Sequence, residues 1–308
     1  MVRPAVARHL AALLLVLPVM AGCSVRALAV RALGSSLAGA GDVFASDEDP
    51  ELVREALPFA LKTMEALLAE QPENRDLLLS ACSGFTQYAW AFVETDALLA
   101  EPTDLAEARR LEDRAVALYL RGRDYCLRVL EAEAPGVREA LERRPSEALT
   151  AFGAEDVPLL YWTGASWGAA IGLALDRPEL TVDLPAVRAL MERVIELDPG
   201  WSDGAAHEAM IVLEAVPESM GGSKERAREH FERALALSGG RRAGTYASLA
   251  RSVSVPEQDA AEFRDLLDRA LAVETDATPS IRLANLVAQK RARFLLEHVD
   301  DYFLDADD

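Results

Sequence analysis

The sequence is poor in aromatic residues, histidine and cysteine. Aromatic side chains make up 6% of its 308 positions, and there are only 4 histidines and 3 cysteines. No two cysteines have the spacing of a metal site, so we expect neither a metal nor a cofactor. No stretch alternates Val, Ile or Thr with polar residues as a half-buried strand would. Ala and Leu dominate instead, and both favour helices over strands.

Basic residues are also scarce. The chain has 32 Lys and Arg against 51 Asp and Glu, which gives a formal net charge of -19. Such a chain repels the phosphates of nucleic acids, so we predict that it binds none. Anionic lipid headgroups repel it as well. Attachment to a membrane would therefore need something other than a basic patch.

The N-terminal segment supplies a candidate anchor. Arg3 and Arg8 precede a short apolar run over residues 10–19, and small residues lead up to Cys23. This order is typical of a bacterial lipoprotein signal, in which the cysteine thiol is acylated before cleavage. An ordinary signal peptide with a chance cysteine is the alternative. We predict a signal peptide over residues 1–22 and lipidation at Cys23.

The segment 23–48 then reads as a lipidated tether with a first helix. Ser24 directly follows the cysteine. By resemblance to other bacterial lipoproteins, a serine there favours the outer membrane over retention in the inner membrane. The predicted location is the periplasm, with the protein held to the membrane through its lipid.

Residues 49–308 show helical periodicity throughout, and we predict an all-α domain of roughly 10–12 helices. Three segments that begin at Met191, Phe231 and Leu267 align with one another. In each, a large apolar residue is followed three positions later by a small or β-branched one. That order matches the second helix of a tetratricopeptide repeat. We predict a tetratricopeptide-like solenoid of helix pairs with one continuous core; a non-repetitive bundle is the alternative.

Two cysteines remain in the predicted domain, Cys82 and Cys126. An oxidising periplasm would permit a bridge between them. Each lies in a helical pattern among apolar residues, where a free thiol behaves as a small hydrophobic side chain. The expectation is two buried free thiols.

Each enzyme motif that the sequence partly matches lacks a required residue or spacing. His207-Glu208 could open a zinc-protease motif, but Ile211 stands where the second histidine is needed. The Gly-Gly-Ser-Lys run that begins at Gly221 lacks the Walker spacing. Ser83 lacks the glycine pattern of a nucleophile elbow. We do not expect an enzyme.

Aromatic residues, although few, gather on two predicted helices. Phe85, Tyr88 and Trp90 lie on one, and Tyr161, Trp162 and Trp167 lie on the other. The second group falls in residues 157–175, which carry no charge. A transmembrane helix, a buried core helix with close-packed glycines and a helix lining an apolar channel all fit this stretch. We take the channel as the hypothesis, with the two aromatic groups sharing one cavity.

Four motifs in order carry a family resemblance: residues 84–89 (GFTQYA), 162–168 (WTGASWG), 217–223 (PESMGGS) and 282–293 (RLANLVAQKRAR). The chain resembles the T-component family of tripartite (TRAP-type) transporters, often called TatT. Candidate ligand or channel residues within and beside these motifs are Phe85, Gln87, Tyr88, Trp90, Tyr161, Trp162, Trp167, His207, Met220, Asn285 and Gln289.

The resemblance implies a periplasmic lipoprotein with cryptic tetratricopeptide repeats, a homotrimer whose protomers each carry a pore-like channel. The implied partner is the periplasmic solute-binding (P) component of the transporter, with an apolar or amphipathic organic ligand. The alternative is a ligand-free scaffold lipoprotein in outer-membrane or envelope assembly. An internal apolar cavity would distinguish the two.

Overall fold

The structure is a computed structural model that describes Gly39 and residues 41–304. All regular elements in this part of the chain are helices, without a strand, as the composition predicts. The signal segment 1–22, the lipidation site Cys23 and most of the tether lie outside the described residues.

The described part of the N-terminal half contains eight α-helices, several of which begin at a capping side chain. Asp49, Asn74 and Asp104 each accept hydrogen bonds from backbone N–H groups of the first turn that follows, which satisfies donors that a helix start leaves free. The helices are α1 (Gly41–Ala45), α2 (Pro50–Glu70), α3 (Arg75–Tyr88), α4 (Thr95–Ala100), α5 (Leu105–Glu133), α6 (Val137–Arg143), α7 (Pro145–Ala148) and α8 (Val157–Gly172). A π-helical segment, Ala89–Glu94, joins α3 to α4 without a break.

The C-terminal half continues with α9 (Pro178–Thr181), α10 (Leu184–Leu197), α11 (Ala205–Glu214), α12 (Lys224–Ser238), α13 (Ala243–Leu249), α14 (Val255–Glu257), α15 (Ala260–Leu271) and α16 (Arg282–Glu297). A second π-helical segment, Ala250–Ser254, joins α13 to α14. Short 3₁₀ turns are found at Ala154–Asp156, Trp201–Gly204, Glu218–Met220, Thr275–Ala277, Pro279–Ile281 and Val299–Asp301.

The aligned segments occupy the second helices of successive helix pairs: α8 with α10, α11 with α12, and α13 with α15. Met191, Phe231 and Leu267 are all buried there. The predicted continuous core is wrong in one respect. Phe231 and Leu267 share one apolar cluster, whereas Met191 belongs to another that the first half of the chain dominates.

The two cysteines of the domain form a disulfide, so the expectation of free thiols is wrong. Cys82 on α3 and Cys126 on α5 have Cα atoms 5.6 Å apart, within the range a bridge requires. Gly122 lies one turn before Cys126, and a Cβ atom there would come within 2.9 Å of the Cys82 carbonyl oxygen. The missing side chain lets the two helix backbones approach closely enough for the bridge.

The uncharged stretch 157–175 forms α8 and the turn that follows it. Gly164 and Gly168 face α10, where added Cβ atoms would meet Met191 at 2.9 Å and Val187 at 3.1 Å. These glycines therefore allow close helix packing. Within the described part of the chain, no helix is long and apolar enough to cross a membrane.

The last helix returns to the first ones. Besides α13 and α15, α16 packs against α1, α2 and α4. Arg282 donates from Nη1 to the carbonyl oxygen of Ser46 over 2.9 Å, and Arg291 donates from Nη2 to Oε1 of Glu94 over 2.8 Å. The two ends of the described chain are thus joined directly.

Candidate functional site

The predicted site residues fall in four places: α3 with its π-helical extension, α8, the α11–α12 region, and α16. On the first, Phe85 is buried, with its ring 6.0 Å from that of Tyr125 on α5. Gln87 is exposed and Trp90 is half-buried on the same helix. Tyr88 is also half-buried, and its ring centre lies 5.6 Å from that of Phe92.

Accessible residues recur along α3 at helical spacing. Ser83, Gln87, Trp90 and Glu94 all keep some exposure, although α3 contacts α2, α5 and α8. A second such stripe runs along α8 through Tyr161, then the small residues Ala165, Ala169 and Gly172. The helix α8 likewise contacts α3, α5 and α10. We call these two rows of residues the accessible stripes.

The π-helical end of α3 holds a carboxylate, Glu94, whose side chain is only 14% exposed. Glu94 accepts a hydrogen bond from the hydroxyl of Tyr119, which is fully buried, and another from Arg291. Burial raises the pKa of Glu94, but Arg291 and Tyr119 outweigh it and the pKa lies below its usual value. The Arg291 guanidinium carbon also lies 5.6 Å from the centre of the Trp90 ring. Glu94 and Arg291 were missed by the sequence analysis, because 197 positions separate them.

On α8, Tyr161 lies among aromatic rings. Its ring centre is 5.1 Å from Trp162 and 4.5 Å from Trp201, a residue that the sequence analysis did not single out. Burial raises the pKa of Tyr161 to about 12, so the hydroxyl stays protonated. Arg242 and Glu208 act electrostatically on this hydroxyl.

An interior ion pair accompanies this aromatic group. Arg242 donates from Nε to Oε2 of Glu208 over 2.7 Å, and Thr245 donates to the same oxygen over 3.0 Å. The two charged side chains are only 13% and 18% exposed. The pKa of Arg242 is raised despite its burial, because Glu208 and Tyr161 favour the charged form. The ion pair carries no net charge and places a fixed dipole beside the aromatic group of Tyr161.

Trp167 lies apart from the other aromatic residues of α8. It is 6% exposed, and the Arg123 guanidinium lies 5.1 Å from the centre of its ring. Burial raises the pKa of Asp183, opposed by Arg123 and by the Trp167 indole. No ring contact in the described residues joins the aromatic group of α8 to that of α3. The geometry therefore favours Tyr161 and Trp162 over Trp167 as candidates for contact with a ligand.

Asn285 and Gln289 on α16 bind helix ends. The buried Asn285 accepts from the N–H of Ala243 at the start of α13 and donates to the Arg241 carbonyl, both over 2.9 Å. Gln289 donates to three carbonyl oxygens at the end of α15, the shortest distance being 2.8 Å, to Val273. Both amides satisfy groups that helix ends leave free. Their contacts give the 282–293 motif an architectural role.

The 217–223 motif folds around a buried carboxylate. Met220 is 37% exposed, while Glu214 is 2% exposed and pairs with Arg188 and Arg226. A Cβ atom at Gly222 would lie 1.7 Å from the carbonyl oxygen six positions earlier, so only glycine fits the turn. This motif therefore shapes the connection from α11 to α12.

His207 faces a second histidine. Its Nδ1 lies 2.8 Å from Nδ1 of His230 on α12. Burial lowers the pKa of His207, and burial with the neighbouring His207 lowers the pKa of His230 to about 4. No group of three or more potential metal ligands occurs in the described residues. The pair acts as a hydrogen-bonded, uncharged contact between α11 and α12.

Packed helix pairs with interior charges and two accessible stripes define an all-α protein. Comparison with known families makes this specific: the sequence model of the TRAP transporter T-component family matches residues 46–303, and the chain belongs to that family. The family has an accessory role in TRAP transporters and is associated with the periplasm or cell envelope.

A relative of similar length occurs in Treponema pallidum (strain Nichols). It carries the description "Uncharacterized protein" and is 34% identical over 304 residues, which is 92% of this chain and 94% of the relative. The similarity therefore extends over nearly the whole of both chains. It adds no activity to what the family indicates.

Proposed function

We propose that the protein is a periplasmic lipoprotein that binds the solute-binding component of a TRAP transporter and holds or conducts an apolar or amphipathic organic ligand. The observation that carries the proposal is the family match, which spans almost all the described residues. The accessible stripes support the ligand part. Both stripes leave aromatic and small side chains accessible on helices that other helices contact on several sides. The wall of an internal path for a ligand would have this arrangement.

Export and anchoring are supported by two separate features. The short apolar run before Cys23 has the order of a lipoprotein signal. The Cys82–Cys126 disulfide suits an oxidising compartment such as the periplasm. Replacing Cys23 with Ala should release the protein from the membrane fraction. Retention as firm as that of the wild type would contradict lipidation at this position.

Binding of the partner is the direct test of the transporter role. The mature chain with Cys23→Ala is titrated by calorimetry with the solute-binding component of a TRAP transporter from the same organism. A complex is expected at micromolar concentrations, and its association should slow with salt because this chain is strongly acidic. A solute-binding protein of an unrelated transporter serves as the control. No heat with any TRAP component, or equal heat with the control, would contradict the proposal.

The homotrimer is part of the same proposal. The helix α2 exposes an apolar row, in which Phe59 is 79% and Leu52 56% exposed. Exposed apolar rows of this kind favour contact with another chain. Light scattering should give a trimer for the wild type and a smaller species for Phe59→Asp. A monomeric wild type would remove the trimer from the proposal without affecting the binding of the partner.

A ligand-free scaffold is the competing function. It predicts the same complex, with no small molecule bound to the interior. Organic extraction and mass spectrometry of protein purified from its native envelope distinguishes the two. An apolar or amphipathic molecule at stoichiometric amounts supports the ligand role, and its absence supports the scaffold.

A further inference from the structure

The connection from α10 to α11 has an unusual backbone. The described part of the chain contains three non-glycine residues with positive φ, and two of them, Ser202 and Asp203, are adjacent in this connection. Their φ and ψ angles are 49° and 48° for Ser202 and 55° and 35° for Asp203, and Gly204 follows with a φ of 85°. A Cβ atom is strained in this left-handed region. Such strain persists where surrounding contacts enforce it, and it clusters at binding sites and moving segments.

The strained turn holds an aromatic ring against α8. The ring centre of Trp201 lies 4.5 Å from that of Tyr161, with an angle of 49° between the two planes. Both side chains are half-buried. Tyr161 is the first residue of the accessible stripe of α8, which continues through the small residues Ala165 and Ala169. The indole therefore covers the end of this stripe.

Few polar contacts hold the tip of the turn in place. The Ser202 carbonyl accepts from Nη1 of Arg242, and the Asp203 carboxylate accepts from Nη2 of Arg241, each over 3.4 Å. Both distances are longer than that of an ordinary N–H···O hydrogen bond. The side chains of Arg241 and Asp203 are 46% and 35% exposed, so their ion pair contributes little. The strain is therefore opposed mainly by the packing of the Trp201 ring.

Glycines flank the tip on both sides. A Cβ atom at Gly204 would lie 3.0 Å from the Cβ atom of Leu237 on α12, so this end of the turn is closely packed. Apart from its chain neighbours, a Cβ atom at Gly200 would come no closer than 3.6 Å to any atom of the described residues. Packing therefore does not require a glycine at position 200. Hinges are often small residues that absorb changes in φ and ψ, and these two glycines have the positions of a hinge pair.

We propose that residues 200–204 form a strained lid, which rotates about Gly200 and Gly204 and carries Trp201 on and off the ring of Tyr161. The structure shows the lid closed. Opening relieves the left-handed strain and uncovers the accessible stripe of α8, whereas closing restores the contact between the rings. The lid thus regulates access to the surface for which a ligand-holding role is proposed above, and it rests on that role for its purpose. Its motion is measured without a ligand, so a negative result removes the lid and leaves the transporter role unaffected.

Hydrogen exchange measures how often the lid opens. The N–H of Trp201 donates to the Asp198 carbonyl over 3.2 Å, and the N–H of Ala205 donates to the Trp201 carbonyl. Opening breaks both bonds. In the full mature chain with Cys23→Ala, Ser202→Gly should slow the exchange of these amides about tenfold, because glycine adopts positive φ without strain and stabilises the closed lid. Trp201→Ala should speed it at least about tenfold, since the closed lid loses its ring contact.

The matched control is Gln258→Gly. Gln258 is the third non-glycine residue with positive φ and lies at the end of α14. Its replacement relieves the same kind of strain outside the lid and should leave the exchange over residues 199–205 unchanged. A general gain in stability is thereby distinguished from closing of the lid. Equal slowing in Ser202→Gly and Gln258→Gly, or no slowing in Ser202→Gly, would overturn the proposal.

Labelling of a thiol tests whether opening controls access to α8. Ala165→Cys places a thiol in the accessible stripe, one turn beyond the covered ring. The other cysteines of the domain are bridged, so this is the only free thiol in the Cys23→Ala background. Its reaction with iodoacetamide should be about tenfold slower with Ser202→Gly and faster with Trp201→Ala. A thiol introduced by Gln87→Cys on α3 is the control and should react at one rate in all lid variants.

Thermal melts confirm that each variant is folded; if Trp201→Ala is not, Ser202→Gly decides the result. A labelling rate at position 165 that does not differ between wild-type and variant lids would show that the turn moves without controlling access, which would overturn the regulatory role. Titration of the same proteins with the solute-binding component keeps the two proposals apart. A normal complex with no change in exchange or labelling removes only the lid.

Discussion

The facing pair His207 and His230 couples protonation to stability. Burial lowers the pKa of both rings in the folded protein, to about 4 for His230, from an ordinary value of 6.5. In this interval the unfolded chain binds more protons than the folded one, so stability falls as the pH is lowered. A proton on either ring would also add positive charge close to Arg188, Arg226 and Arg233.

We therefore expect the contribution of this pair to the free energy of unfolding to be complete above pH 6.5 and to decrease as the pH falls towards 4. Denaturant melts between pH 7 and 4 measure the slope. The double variant His207→Gln with His230→Gln should show a shallower slope over that interval. Equal slopes in the wild type and the double variant would contradict a role for the pair.

Single residues also show where sequence reasoning reaches its limit. On helix surfaces, periodicity brings carboxylates and basic residues four positions apart together, as in the exposed pair of Glu139 and Arg143. The buried carboxylates behave differently. Glu208 binds Arg242, which is 34 positions away. Periodicity reveals which face of a helix is buried, but not which distant helix supplies the partner.

Among the elements, the disulfide between α3 and α5 has the largest predictable energetic effect. The bridge joins residues 44 positions apart, so it removes many conformations from the unfolded chain. Loop-closure entropy predicts a contribution of about 4 kcal/mol. Replacing Cys82 and Cys126 together with Ala should lower the free energy of unfolding by about that amount in denaturant melts. Reduced wild type is the matched control, and a loss below about 1 kcal/mol in either protein would contradict the entropic account.

Helix positions were well predictable, while irregular features within helices were not. Within the predicted all-α domain, one helical stretch is continuous over residues 75–100, and the Asn74 cap and the residues before Pro102 define its ends. The π-helical turn inside it has no counterpart in the periodicity. Glu94, the charged residue of this turn, is bound by Tyr119 of α5 and Arg291 of α16. Its position therefore depends on contacts with helices that are distant in the sequence.

The whole molecule is held together where its last helix meets its first. Arg282 on α16 binds the Ser46 carbonyl just after α1, across 236 positions of sequence. Arg282→Ala should free the end of α1, and amide exchange there should rise about tenfold, the effect of losing a hydrogen bond to a charged group. Exchange–mass spectrometry measures this, with peptides from α10 as the internal control. Unchanged exchange over residues 41–46 would show that other contacts hold α1.

The family resemblance anticipated the whole-molecule class, and the matched family confirms it. The individual site residues were harder to predict. The 282–293 and 217–223 motifs supplied the candidate ligand residues Met220, Asn285 and Gln289. In the structure Asn285 and Gln289 satisfy helix ends, and the neighbouring Gly222 fits a turn that admits no side chain. A motif can identify a family through its architecture as readily as through its binding site, and only the contacts tell the two apart.

The meeting of α16 with the N-terminal helices has a consequence for biogenesis. An exported chain emerges from its N-terminal end, so α2, α3 and α5, with the bridge at Cys82, can assemble from neighbouring segments while the rest is still being translocated. Arg291 arrives last, because it lies near the C-terminal end. The ion pair of Arg291 with Glu94, and the contact of its guanidinium with Trp90, therefore form only after synthesis and export have ended. A prematurely terminated chain would carry the bridged helices, yet it would be unable to assemble the group of charges that α16 completes.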